Sequence, residues 1–170
     1  TSTSGTYNVT LTVTDSATAS ASAPLTLVVA AAPSITTTSP LAGGTTGTAY
    51  STTVAVSGGV APYSWSASGL PGGLAMGAST GTISGTPTAT GTFNASVTVT
   101  EANGATATKS LSITVTAPPL AISTGSLPNG TVGTPYSTTV AATGGTAPYS
   151  WSATGLPANV TISSSTGVIS

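Results

Sequence analysis

The chain of 170 residues has no Cys and no His, and its only charged side chains are Asp15, Glu101 and Lys109. Charged residues make up 2% of the sequence, against about 25% in an ordinary globular domain. Each absence removes a class of function. Zinc sites draw on Cys and His, general acid–base catalysis on His or paired carboxylates, and Ser-His-Asp or Cys-His constellations on a His. One Lys without any Arg cannot line a groove that neutralises successive phosphates, so nucleic acid is excluded as a partner. The sequence therefore predicts no catalytic residues, no metal site and no cofactor. Without Cys there is no disulfide stapling, and each folding unit must rely on its own apolar core. Nor does any stretch approach the roughly 18 consecutive apolar residues of a membrane-spanning helix. The nearest, Leu25 to Ala32, is interrupted by Thr26.

What remains is small, apolar and hydroxylated. Mean hydropathy is +0.37, and more than a third of the residues are Ser or Thr. Disordered chains combine low hydrophobicity with high net charge, the opposite of this composition, so the chain reads as folded. A surface of Ser and Thr lacks the usual electrostatic protection against association. Sugars on the surface, or association as the intended outcome, would compensate, and both point to an extracellular or cell-surface setting. The sequence begins on Thr1 and shows no signal peptide, so it reads as a mature or excised segment.

The dominant pattern is a repeat. Tyr50-Ser-Thr-Thr-Val returns as Tyr136-Ser-Thr-Thr-Val, and 136 − 50 = 86. Pro62-Tyr-Ser-Trp65 returns as Pro148-Tyr-Ser-Trp151, and Thr6-Tyr7-Asn8 matches Thr92-Phe93-Asn94. The offset holds without a gap, which is the signature of an array of similar units. Its length is that of a small independent sandwich domain.

Within one unit the apolar residues alternate. Tyr50, Thr52, Val54 and Val56 form one period-2 run, and Phe93, Ala95, Val97 and Val99 form the clearest. Asn103-Gly104 signals a hairpin turn of the I′ kind. Seven or so short strands, with no helical period, predict an all-β fold of tandem antiparallel β-sandwiches. Tyr7, Val9, Leu11 and Val13 are expected to point inward, with Asn8, Thr10, Thr12 and Thr14 outward. Lys109 is expected to be a solvated side chain that discourages edge pairing.

The chain is out of phase with its own repeat. Small, Pro-containing segments at 30–33 and 117–119 mark boundaries, giving residues 1–32 as the C-terminal half of a repeat. Residues 33–118 form a complete sandwich, and 119–170 are the N-terminal half of another. Neither half can close a sandwich alone, because each leaves an open edge and an apolar face. The halves are complementary. They are completed either by a longer covalent array or by a neighbouring chain joined head to tail; a self-associated permuted fold is a third arrangement.

The combination Ala-Pro-Tyr-Ser-Trp-Ser-Ala-x-Gly-Leu-Pro, Ser79-Thr-Gly-Thr-Ile-Ser-Gly-Thr-Pro87 and Val97-Thr-Val-Thr100 resembles the immunoglobulin-like, cadherin-like tandem repeats of bacterial and archaeal surface proteins. The resemblance runs through the whole chain and implies an Ig-like sandwich serving as a spacer, stalk or adhesive element. The resemblance also implies more acidic residues in many family members, some of them in calcium-binding positions. Only Asp15 and Glu101 are present here, too few for the roughly six oxygen ligands that calcium takes.

Tyr7, Trp65, Phe93 and Trp151 are expected in the core, although Trp65 and Trp151 with Tyr63 and Tyr149 could instead form a sugar-stacking platform. Asn8, Asn94, Asn129 and Asn159 each begin an Asn-x-Ser/Thr glycan acceptor pattern. The expected function is an extracellular structural repeat forming a stalk or filament, with self-association head to tail or laterally and glycans as partners. The alternative is a carbohydrate- or surface-binding adhesin segment.

Overall fold

Val, Leu and Ile alternating with Thr and Ser produce strands with one apolar and one hydroxylated face, and fifteen strands form without a helix among the described residues. The computed structural model describes residues 3–170. A hairpin comes first, made of β1 (Gly5–Thr14) and β2 (Ser20–Val29). The middle unit holds β3 (Ser34–Ile35), β4 (Gly44–Thr45), β5 (Tyr50–Thr53), β6 (Val56–Ser57), β7 (Ser64–Ser68), β8 (Leu74–Met76), β9 (Thr82–Gly85), β10 (Gly91–Thr100) and β11 (Thr106–Thr116). The last unit holds only β12 (Ala121–Ile122), β13 (Thr138–Thr139), β14 (Ala142–Thr143) and β15 (Val168–Ile169).

The middle unit is a two-sheet sandwich. One sheet runs β4-β11-β10-β7 and the other β5-β9-β8, with the short pair β3-β6 beside them. Ala95, Val97, Val99, Leu111 and Ile113 from the first sheet meet Ile83 from the second, and all are fully buried. Burying each large side chain of this kind contributes about 1.5–3 kcal/mol. The outer face of the same strands carries hydroxyls that bond across the ladder, as Thr98 does with Thr108 at 2.8 Å. One repeat earlier, Thr12 and Ser22 make the same bond at 2.7 Å. Polar strand faces thus stay paired without charge.

Lys109 differs from its expected role in detail. It stands opposite Val97 in the β10–β11 register, so its stem lies on the apolar face, half-buried. Its ammonium donates to the Ile35 carbonyl at 3.2 Å, and the charge ties β3 to the sheet rather than sitting free in solvent.

Two expectations are corrected. The turn after β10 is not of the I′ kind, which needs positive φ at both central residues. Only Gly104 is left-handed (φ 85), the Gly104 amide donates to the Glu101 carbonyl, and the Glu101 amide to the Ala105 carbonyl. This is a type I turn closed by a left-handed residue. The earlier hairpin repeats it with Thr18 at φ 70.

The gapless offset also fails at the first strand. In the middle unit Ser34 pairs Ser57 and Ile35 pairs Val56, whereas in the last unit Ala121 pairs Thr143 and Ile122 pairs Ala142. The partner strand keeps its offset of 143 − 57 = 86, but the first strand is displaced by 121 − 34 = 87. Ile122, not Ala121, is therefore the counterpart of Ile35. A one-residue slip turns a strand over, and this one preserves the isoleucine on the same face.

Candidate interaction surfaces

The three charged side chains serve the backbone. Glu101 accepts the Val60 amide at 2.6 Å, and Asp15 accepts the amides of Ala17 and Ala19, each at 2.9 Å. No cluster of three metal-ligating side chains occurs among the described residues. The tyrosines act as struts of matching design. Tyr50 donates to the Ala42 carbonyl and Tyr136 to that of Pro128. Tyr63 donates to Gly58 and Tyr149 to Gly144.

Burial raises the Tyr50 phenol above its ordinary value of 10.0. The protonated form is favoured in the folded state, so this contribution is complete below pH 10 and is lost as pH climbs through the raised value. Between pH 10 and that raised value, stability should accordingly fall less steeply in Tyr50→Phe than in the parent, measured by denaturant unfolding followed by circular dichroism at each pH. Equal slopes would remove the linkage.

The expected core aromatics separate into three environments. Trp65 is buried, and its indole packs so closely on Gly81 that a Cβ there would lie 2.8 Å from the ring. Phe93 is half-buried against the core. Trp151 is half-buried, although Gly167 meets it as Gly81 meets Trp65. The strand that carries Trp65 pairs with β10. Residues 150–154 form no strand, there being no such partner beside them among the described residues. Tyr7 departs from expectation: it is exposed, at 39%, although its position matches Phe93. The four acceptor residues Asn8, Asn94, Asn129 and Asn159 are all exposed. Asn159 also holds a left-handed turn position at φ 66, which Asn tolerates better than most residues.

Two apolar faces lie open, one in the first hairpin and one in the last unit. Leu11 and Val13 are 57% and 71% exposed, whereas their counterparts Val97 and Val99 are at 0%. Leu25 and Leu27 are 51% and 55% exposed, against 0% for Leu111 and Ile113. In the last unit Ile122 and Leu127 are 70% and 46% exposed, against 6% and 8% for Ile35 and Leu41. There an open groove of about 810 Å³ runs between Leu127, Tyr136, Leu156, Val160 and Ile169. Its counterparts Leu41, Tyr50, Leu70, Leu74 and Ile83 all line the middle core. The repeat offset was the available signal, since it identifies the residues that cover each of these in the closed unit.

No curated protein matches the chain significantly. Among solved structures, a Bacteroides fragilis NCTC 9343 protein described as a "putative alpha-galactosidase" is 31% identical over 49% of this chain and 17% of its own, with a TM-score of 0.45. Protocadherin gammaB7 EC3-6 is 16% identical over 96% of this chain and 49% of its own, with a TM-score of 0.42. Protocadherin Gamma B2 domains 3-6 are 16% identical over 96% and 50%, with a TM-score of 0.44. The chain thus spans about a sixth of the first structure's length and half of the other two. The family described as "Putative Ig domain" matches residues 32–116 and again 118–170, most of the chain. Both its sequence and its all-β sandwich make this chain a member of that immunoglobulin-like family.

Proposed function

We propose that the chain is an extracellular structural repeat, a segment of a stalk or filament made of Ig-like sandwiches in series, without catalysis. The observation that carries this reading is the recurrence of one sandwich unit along the chain, joined through short Ala/Pro segments held by the units themselves. The Gly59 amide donates to the Ala31 carbonyl at 2.6 Å, and the Gly145 amide to the Pro118 carbonyl at 2.7 Å. Gly58 and Gly144 are left-handed (φ 68 and 72), and a Cβ on either would strike a carbonyl oxygen of the linker. Both joints are thus bonded to the sandwich rather than hanging free, which suits a load-bearing role. The uncharged hydroxyl surface permits lateral packing, and exposed Asn8, Asn94, Asn129 and Asn159 are candidate attachment points for glycans. No helix among the described residues is long and apolar enough to cross a membrane. Electron microscopy tests the reading: β11 has 11 residues, so elongated particles should repeat axially at roughly 40 Å per sandwich. Compact particles without such a repeat would sink it.

One observation favours a second reading, a carbohydrate- or surface-binding adhesin segment. Trp151 and Tyr149 form an edge-to-face pair with centroids 6.4 Å apart and planes at 85°, and Trp151 is only half-buried. With Trp65→Phe leaving Trp151 as the emitter, acrylamide should quench emission more strongly than with Trp151→Phe. A glycan that leaves the Trp151 emission unchanged at saturating concentration is not a ligand of this pair.

A further inference from the structure

The chain enters and leaves the middle unit at opposite ends. Pro33 lies beside Gly59, where an added Cβ would stand 3.2 Å from the Pro33 Cβ and 2.7 Å from the Glu101 carboxylate, in the turn that precedes β11. The chain leaves at Thr116, the far end of β11. An 11-residue strand holds those ends roughly 37 Å apart. Between them, the segment from Ser34 to Thr46 runs in the same direction as β11, with Gly44 paired to Val115 and Thr45 to Thr116 in parallel.

Several bonds tie this first segment to the last strand, in the same order along both. The Lys109 ammonium donates to the Ile35 carbonyl at 3.2 Å. The Ser112 amide donates to the Ser39 hydroxyl at 3.0 Å, and the Leu41 amide to the Ser112 carbonyl at 2.9 Å. Last, the Thr46 amide donates to the Thr116 carbonyl at 2.9 Å. Tension passed from unit to unit pulls Pro33 outward at one end and Thr116 outward at the other. The two strands are then driven along each other, and their ties are loaded together rather than opened in turn. We infer that this pairing is a shear latch, the element that sets how much tension the unit bears, with Lys109 as its charged tie. The inference rests on the stalk or filament reading and names the part of the unit that carries its load.

Lys109 suits this role because a hydrogen bond from an ammonium is stronger than one between neutral groups. Its half-buried stem holds the ammonium in place. The tie is not a requirement of the repeat, since Ala23 stands at the same place in the first hairpin. The pairing of β3 with β6 lies along the same axis and adds to the resistance. Forced rupture is governed by the unfolding rate rather than by equilibrium stability, so the direction of loading matters. Pulled apart from the end where the chain turns at Gly47, the same ties would part singly, beginning with Thr46 and Thr116.

Single-molecule pulling of the full chain tests the latch in two directions. Handles at the chain ends load the ties in shear, and rupture of the middle unit is recognised by the roughly 25 nm that residues 33–118 release. Thr48→Cys moves one handle to an exposed position in a chain without other cysteines. Pulling there against the C-terminal handle opens the ties in turn, and an unchanged thermal midpoint verifies that this variant is folded. Rupture force should be several-fold higher from the ends than from position 48. Lys109→Met should lower the end-to-end force while leaving the force from position 48 and the thermal midpoint nearly unchanged. Equal forces in the two directions overturn the latch. A Lys109→Met effect that is the same in both directions, or absent from both, overturns the role given to Lys109. Microscopy separates this inference from the reading beneath it. Compact particles would remove the stalk and leave the directional force, whereas loss of that direction dependence would remove the latch and leave the stalk.

Discussion

Truncating Leu111 to alanine is expected to destabilise the middle sandwich by about 2–5 kcal/mol, the range for deleting a buried leucine that leaves a cavity. The same truncation at Leu25, one repeat earlier, is expected to cost under about 0.5 kcal/mol, as at other exposed sites. The two leucines occupy equivalent strand positions, opposite Ala95 and Val9. They differ in what covers them: Leu111 is at 0% and Leu25 at 51% exposure. Urea unfolding of dilute protein measures the contrast directly. If L25A proved as damaging as L111A, the hairpin face would be buried rather than open.

The second large effect is expected at Gly73→Ala, which should cost about 3 kcal/mol or more because backbone strain and steric overlap act together. Gly73 has φ +85, and a Cβ there would lie 2.0 Å from the Thr86 carbonyl oxygen. That contact is with backbone, so no flexible side chain can swing away to relieve it. Gly85 meets Gly73 from the other side, its Cβ position 2.1 Å from the Gly73 carbonyl oxygen. Either substitution forces apart the turn that leads into β8 and its pairing with β9, where Leu74 stands opposite Gly85. Thermal unfolding should show a large fall in midpoint for G73A. Asn159, the counterpart of Gly73, already holds the left-handed conformation with a side chain, and Asn159→Gly should shift the midpoint little. A neutral G73A would mean that the turn relaxes without loss of the sheet.

The sandwich was legible because its strands repeat a simple chemical alternation, as the period-2 run of Phe93, Ala95, Val97 and Val99 shows. Tyr7 shows where that reading stops. Its alternation is that of a core strand, yet burial belongs to whatever lies across from a residue, and period-2 patterning cannot say whether that layer is present. Trp151 illustrates the same limit for secondary structure, since its segment has the composition of β7 but no neighbour to bond. The turn at Asn103 was misread because the dipeptide Asn-Gly suits more than one hairpin geometry. Loop length, set by the bond between Glu101 and Ala105, decided between them. The displacement of Ile122 was hidden because the following loop absorbs the extra residue before Leu127, restoring the offset downstream.

Every charged side chain in this protein is engaged by its own backbone: Asp15 and Glu101 by amides, Lys109 by a carbonyl. No attraction between units, and almost no repulsion, is therefore carried by free charge. Raising ionic strength shortens the reach of electrostatic forces, but here there is little for it to shorten. Fresh water and brine should look nearly alike to such a protein, whose sandwich is held by shape and apolar contact.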